Sequence, residues 1–562
     1  MHRSALPVVA LCTLLVACSS DDLPTGPEGP ATPATAWTAW EDDAVFSGRT
    51  FHCDPERGSL DAPGTADEPW PGLDAVLAAG FVQRYTPTSY PYEAGSPLVL
   101  ANPDAPVAPG DRLLLHDGDH GDAFFSDAHN PDFLFIEAAP GTAPVLQRLH
   151  LQGVERIVLD GLTIEGEAGN GLSGTLLDVE SHGWRGPCRY VLVRDVIVRS
   201  TTSIEGWTAD DWNARAATAV SADGDYVSLH RVTALNVNHG LMMGGRFIWV
   251  DDCEVTNFAG DGLRGIGNDQ IFEHNLIRNC YDVNENHDDG FQSFSVNGAP
   301  PRERVILRNN TIIGYSDPNQ PLRGTLQGIG CFDGFYVDWV IENNLVVTDH
   351  WHGITLMGAD GCRVVNNTVV DLNDERPGPP WISIADHKDG RRSRDCLIRN
   401  NIAASIQSVD GVTVDHNLET TDLAAVFVDP ANGDFHLRDG SPAIDAGTEE
   451  FAPTTDHDGT ERPRGEGVEV LPGEPPGEKF TFIIGEIDYS DWNADRFDSF
   501  LSNPLLGIER IEREMDSLFT KLNDLYPRYL ENRSRIDNLQ AKLLQIREEK
   551  GKDASQEFYN ER

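Results

Sequence analysis

Between residues 250 and 403 the chain repeats one pattern: an alternating apolar run, a pair of asparagines or their stand-ins, then a second short apolar run. Val305-Ile306-Leu307 leads into Arg308-Asn309-Asn310-Thr311-Ile312, and Trp339-Val340-Ile341 into Glu342-Asn343-Asn344-Leu345-Val346. The same pattern recurs at Val365-Asn366-Asn367-Thr368-Val369, Arg399-Asn400-Asn401-Ile402-Ala403 and Glu273-His274-Asn275-Leu276-Ile277, with Asp251-Asp252-Cys253 as a weaker copy. Its second paired position falls at 253, 275, 310, 344, 367 and 401, so the separations are 22, 35, 34, 23 and 34 residues. Alternation with many β-branched residues predicts short strands, and neither a helical period nor fixed leucine offsets appear. One such unit cannot bury its apolar face. Stacked windings about 4.8 Å apart can, because each strand then bonds those above and below. The pattern predicts a parallel solenoid whose asparagines stack as an amide ladder and tolerate the left-handed backbone of a tight turn.

A second column runs beside the first: His239-Gly240, Asp261-Gly262, Asp289-Gly290, Gln327-Gly328 and His352-Gly353. Side chains alternate along a strand. If the residue after each glycine points inward, Asp261, Asp289, Gln327 and His352 line one outer wall with Arg264 and Gln292 beside them. Longer segments bearing Asp288, His287, Tyr315, Arg323, His350, Trp351 and Trp381 precede these strands, and another carries Trp207 and Trp212. Aromatic and polar residues gathered on a flat rigid face suit a sugar polymer: rings stack on the apolar sugar faces and polar groups orient them.

Composition narrows the partners. Ninety acidic against 43 basic residues give a formal net charge of −47, which repels nucleic acid and anionic membrane surfaces. Nine widely spaced cysteines form neither a disulfide framework nor a zinc motif. For Cys362 and Cys396 the expected state is thiols stacked in adjacent windings.

The stretch from Thr50 to about Gly447 resembles the bacterial right-handed parallel β-helix proteins of the pectate-lyase-like superfamily. The residues that carry the resemblance are Gly64-Thr65, Pro69-Trp70-Pro71-Gly72-Leu73-Asp74-Ala75-Val76 and Pro109-Gly110-Asp111-Arg112-Leu113, then Asp439-Gly440-Ser441-Pro442-Ala443-Ile444-Asp445-Ala446-Gly447 near the exit. His120 stands where tyrosine is usual. The fold class expected is all-β: a single-stranded right-handed parallel β-helix over 105–463, with an N-terminal capping helix within 49–104. The resemblance is weak for function, since the superfamily holds lyases, hydrolases, epimerases and non-catalytic members.

Three chemistries compete on the expected wall. For β-elimination from a uronate, Arg264 and Arg323 neutralise the substrate carboxylate, His352 or His350 takes the proton, and Asp288 with Asp289 can hold Ca²⁺. For hydrolysis, Asp261 and Asp289 serve as the carboxyl pair, about 5 Å apart if on adjacent windings. The Gly-His-Gly and Arg-Ile-Lys motifs of polygalacturonases and the Asp-Pro-His motif of alginate epimerases are absent. The expectation is a polysaccharide lyase acting on a uronic-acid polymer, with His287, Gln292, Arg323, Gln327, Trp351, Trp381, Trp207 and Trp212 binding the chain. A glycoside hydrolase and a non-catalytic glycan-binding adhesin are the alternatives.

The termini carry separate signals. An apolar run after Arg3 ends in Leu15-Val16-Ala17-Cys18, which resembles a lipobox with Cys18 as the lipidated residue; export and outer-membrane anchoring follow as expectations. Residues 19–48 read as a flexible tether, and 464–504 as an irregular linker. Within 505–550, apolar residues such as Ile508, Ile511, Met515, Leu518, Leu522 and Leu525 keep heptad spacing with Asn532 as a polar position, which predicts a coiled-coil-like helix able to self-associate. A short tail, 551–562, follows.

Overall fold

The computed structural model describes residues 37–166, 174–295, 299–373 and 376–462. The expected lipidation site at Cys18, the linker at 464–504 and the heptad segment at 505–550 lie outside the described residues.

Each winding of the chain contributes three strands to three parallel faces. One winding supplies Gln327–Asp333, Val340–Glu342 and Leu345–Val347; the next supplies His352–Met357, Arg363–Val365 and Thr368–Val370. They pair in register, Ile329 with Ile354, Ile341 with Val364 and Val346 with Val369. The protein is therefore a parallel β-helix. Leu241, Leu263, Phe291, Ile329, Ile354 and Ile382 form one inward column of the first face, all buried. Burying a side chain of this size contributes about 1.5–3 kcal/mol, so the column is a large part of what holds the windings together.

The asparagine ladder is present and continuous. Asn344 Oδ1 accepts the backbone N–H and the side-chain amide of Asn310 at 3.1 and 2.9 Å, and Asn344 in turn donates to Asn367 Oδ1 at 3.0 and 2.9 Å. The other amide hydrogen of Asn344 reaches the Leu307 carbonyl at 2.9 Å. The series runs Asn275, Asn310, Asn344, Asn367, Asn401, Asn417. Asn417 escaped the repeat alignment because only 16 residues separate it from Asn401. The sequence reading placed ladder and left-handed turn on one residue; the structure divides them. The left-handed backbone belongs to the residue before each ladder position, with φ between 51° and 57° at Asp252, His274, Asn309, Asn343, Asn366, Asn400 and His416.

The first winding begins earlier than position 105. Thr50–Cys53 pairs in parallel with Arg112–Leu115 as a strand of the second face. The short helix Leu73–Ala78 sends Leu73 and Val76 into the same core. Part of the expected tether is also fixed: Trp40 stacks on Phe133 at 6.1 Å, Phe46 meets Phe135 edge-on at 5.8 Å, and Glu41 bonds Ser228 and faces His230 at 3.1 Å. Burial opposes charge on His230, yet Asp251 and Glu41 push it up to about 9. At the other end, residues 448–462 turn back across the windings. Asn400 donates to the Thr448 carbonyl at 2.8 Å, Asn343 to the Thr455 carbonyl at 2.9 Å, and His457 lies 3.1 Å from Thr311.

All seven cysteines in the described residues are buried and free, Cys362 and Cys396 included.

Candidate functional site

Every strand of the first face presents one outward residue next to the inward column. The pairing aligns Phe124, His150, Asp178, Ser221, Met242, Arg264, Gln292, Gly330, Thr355, Ser383 and Gln407 as one row along the solenoid. The preceding glycines mark a corner. A Cβ at Gly262 would fall inside the contact radius of Ile277, and one at Gly353 inside that of Val369, so the third face leaves no room for a side chain there. That close approach explains the glycine column and places the residue before it at the edge of the first face.

The edge residues are less accessible than the sequence implied. Asp261 and Asp289 are only 1% and 0% exposed, and Gln327 is buried too. The expected outer wall of acids is therefore a buried layer beneath the outward row. Asp261 holds Arg264, its Oδ2 accepting from Nε at 2.8 Å and from one terminal nitrogen. Asp289 accepts the Gln292 amide at 2.9 Å. Arg264 and Gln292, half-buried on adjacent windings, are thus presented side by side by the carboxyls below them, with Arg264 also lying 5.3 Å over the Phe294 ring.

Burial dominates the electrostatics of this layer. It pushes Asp261 up to about 6 although Arg264 pulls the other way. It raises Asp289 well above the carboxylate range, with the like charge of Asp261 adding to the effect. Asp288 is pushed up to about 7 by burial, with Asp282 and Asp261 adding to the rise. Asp289 Oδ1, Asp288 Oδ1 and Gln327 Oε1 have no hydrogen-bond partner among the described residues. Asp288 bonds Cys280 and Asp289 bonds Gln292, while both feel the charge of Asp261. Among the described residues, the groups that bring three candidate metal-binding atoms together are His150 with Asp178 and Glu180, and Asp251 with Glu273 and His274; neither includes Asp288 or Asp289.

Gly330 is one member of the row outside the expected set. A Cβ there would overlap Asp289 Oδ1 and crowd the Phe332 ring. The absent side chain is what lets the Asp289 carboxyl extend over the neighbouring winding. The available signal was positional: Gly330 stands two residues after the corner glycine, as do Arg264, Gln292 and Thr355.

A second group lies further along the row. His352 Nδ1 is 3.0 Å from Thr355 Oγ1, which also accepts the Trp381 indole N–H at 3.2 Å. Thr355, absent from the expected set, therefore fixes both a histidine and a tryptophan. His350 stacks beside His352 at 5.4 Å and accepts the His352 backbone N–H on Nδ1 at 3.0 Å. That bond leaves the proton of a neutral His350 on Nε2. Burial, then the neighbouring His352 and His287, lowers His350 to about 4, and burial with His287 lowers His352. Both imidazoles are neutral near pH 7. Trp351, exposed, is parallel to Trp381 within 7° at 6.3 Å. His287 is exposed in the preceding segment.

The remaining predicted residues belong to the walls. Trp212 is 1% exposed and packs on Tyr281 at 4.7 Å, so it is a core residue of the helix Ala209–Arg215 and does not face a ligand. Trp207 packs edge-on against it at 5.3 Å, with Arg215 4.5 Å over its ring. Arg323 lies 4.6 Å over the Tyr315 ring. The structure thus gathers the predicted residues into two stations, Arg264–Gln292 and His350–His352–Trp381. Arg264 and Thr355 are three windings apart, about 14 Å at the usual strand spacing of about 4.8 Å.

No family model matches the chain, and no curated protein matches it. Among solved structures, the pectate lyase Pel9A is similar at 15% identity and a TM-score of 0.37, over 77% of this chain and 91% of its own. A GH136 lacto-N-biosidase from Eubacterium ramulus matches at 12% and 0.35, over 67% and 68%. A mannuronic acid specific polysaccharide family 6 lyase from human gut microbiota matches at 13% and 0.35, over 72% and 96%. The fold assignment stands on the strand pairing described above.

Proposed function

We propose that the first face is a groove for an acidic glycan lying along the solenoid axis, and that the protein cleaves it by β-elimination. One observation carries the reading: the neutral, half-buried His352 has Nδ1 3.0 Å from Thr355 Oγ1, and in the tautomer whose Nδ1–H donates to that hydroxyl, Nε2 is free to accept a proton. In the reaction His352 removes the C5 proton of a uronate and the C4–O bond breaks, giving an unsaturated sugar and a new reducing end. In this reading the departing oxygen takes a proton from water, and the Nε2–H of His350 hydrogen-bonds that oxygen as it leaves. The stacked Trp351–Trp381 pair offers a platform for a sugar ring. Arg264 uses Nε and one terminal nitrogen on Asp261, so its other terminal nitrogen, with Gln292 beside it, anchors a carboxylate three windings away.

Hydrolysis by Asp261 and Asp289 is disfavoured, because both are buried beneath the residues a glycan would touch. Binding without cleavage is the second reading, favoured by the separation of Arg264 from His352, which puts the fixed cation beyond the sugar whose proton His352 would take. The test is to incubate the full-length protein with a panel of uronate polymers and follow the ultraviolet absorbance of unsaturated product alongside binding. Product that disappears in His352→Ala while binding persists supports the lyase; binding with no product in the unaltered protein supports the adhesin.

A further inference from the structure

Along the outer surface of the solenoid, carboxylates are matched across windings by arginine. Asp160 with Arg194, Asp195 with Arg231 and Asp269 with Arg304 are examples, each joined at 2.5–2.7 Å. One group on the first face departs from this pattern. Asp178 and Glu180, two outward residues of one strand, have no arginine or lysine partner among the described residues and meet His150 instead. The arginines nearest in sequence are engaged elsewhere, Arg148 with Asp122 and Arg185 with Asp127.

We infer that His150, Asp178 and Glu180 form a binding site for a divalent transition-metal ion of the zinc class. The parallel register holds them: His150 pairs with Asp178, and Gln152 with Glu180, on adjacent windings. One imidazole nitrogen and one oxygen from each carboxylate lie within 4.8 Å of one another, with His150 Nε2 2.8 Å from Glu180 and 3.5 Å from Asp178. Supporting contacts orient the set. The Gln152 amide donates to Glu180 at 2.6 Å, and Phe124 meets the His150 ring edge-on at 5.1 Å. Such outer contacts are what fixed ligands need. The donor set selects the ion: imidazole with two carboxylates suits Zn²⁺ and its neighbours, whereas Ca²⁺ takes oxygen alone. Each side chain is about one-third exposed, so coordination positions remain for water or an anionic ligand.

The contrast within the molecule is informative. Asp251, Glu273 and His274 also converge, but Glu273 is occupied by Arg308 and by the Trp249 indole, and Asp251 by His274 and His230. That cluster is a closed ion-pair network with an arginine in it; the one at His150 has no arginine or lysine among its described partners.

The experiment is equilibrium titration of the metal-stripped full-length protein with Zn²⁺ alone, read by bound-metal stoichiometry and by the visible spectrum of the Co²⁺-substituted form. One equivalent is expected to bind, with at least a tenfold loss of affinity in His150→Ala and in the nearly isosteric Glu180→Gln, and no change in His274→Ala. Thermal unfolding without metal checks that the variants fold. The inference is overturned if Zn²⁺ fails to bind stoichiometrically, or if both folded variants at positions 150 and 180 bind it as the unaltered protein does.

Discussion

Thr355 Oγ1 lies 3.0 Å from His352 Nδ1, one winding beyond the glycine that leaves room for the Asp289 carboxyl. A hydroxyl accepts two hydrogen bonds, so Thr355 can take the Trp381 indole and the His352 ring together. His352→Ala is expected to lower turnover by about 10²–10⁴-fold, the usual contribution of a positioned base. Thr355→Val keeps shape but removes both bonds, and a smaller loss, about tenfold or more, is expected with substrate binding largely retained. Steady-state rates on the polymer that serves as substrate check both.

The pH profile tests the same histidine. Burial and the nearby His287 lower the pKa of His352 below its ordinary 6.5, so the unprotonated base persists to more acidic pH than a free imidazole would. The acidic limb of the rate profile is expected below pH 6.5, and His287→Gln should move it upward by removing the repelling charge. A limb at or above pH 6.5 in the unaltered protein would count against His352 as the base.

Gly330→Ala is expected to destabilise by about 1–3 kcal/mol, the usual cost of overpacking, since the added methyl meets Asp289 Oδ1 and the Phe332 ring. Asp289→Ala removes the obstacle. Chemical denaturation of the single and double variants should therefore show coupling, with the alanine at 330 costing less when Asp289 is absent.

Asn344→Ala removes the acceptor of the Asn310 backbone N–H and of one Asn310 amide hydrogen, and the side-chain donor to the Leu307 carbonyl, all in the buried interior. Each unsatisfied group costs about 1–3 kcal/mol, so a loss of at least about 3 kcal/mol is expected in denaturant unfolding.

Asp288 predicts an unusual stability profile. Its folded pKa is raised to about 7 from 3.8, chiefly by burial, so the folded state binds the proton more tightly than the unfolded chain. The associated stability is complete below pH 3.8 and lost as pH rises towards 7. Asp288→Asn is expected to raise the melting temperature at pH 8 and change it little at pH 4. Equal effects at both would exclude the carboxyl as the cause.

The solenoid was legible because its cause is periodic: ladder residues such as Asn310, Asn344 and Asn367 must recur wherever windings stack, whatever the inserts between them. Inward positions such as Leu263 and Phe291 followed from alternation alone. The exposure of Asp261 and Asp289 was not legible, because it depends on how neighbouring windings cover the corner: His239 lies against Gly260, and no local pattern encodes that. Trp212 shows the same limit. Its spacing from Trp207 suits a platform or a core equally, and only the contact with Tyr281 decides. Thr355 is an unremarkable residue until two partners from different windings converge on its hydroxyl.

The returning segment at 448–462 changes how the solenoid can come apart. In a stack whose layers touch only their neighbours, the last layer can peel away first, then the next. Here one stretch of chain is laced from Asn400 back to Thr311, so the final layers are bound into a bundle that must loosen together. Fraying from that end is delayed until the lacing itself has gone.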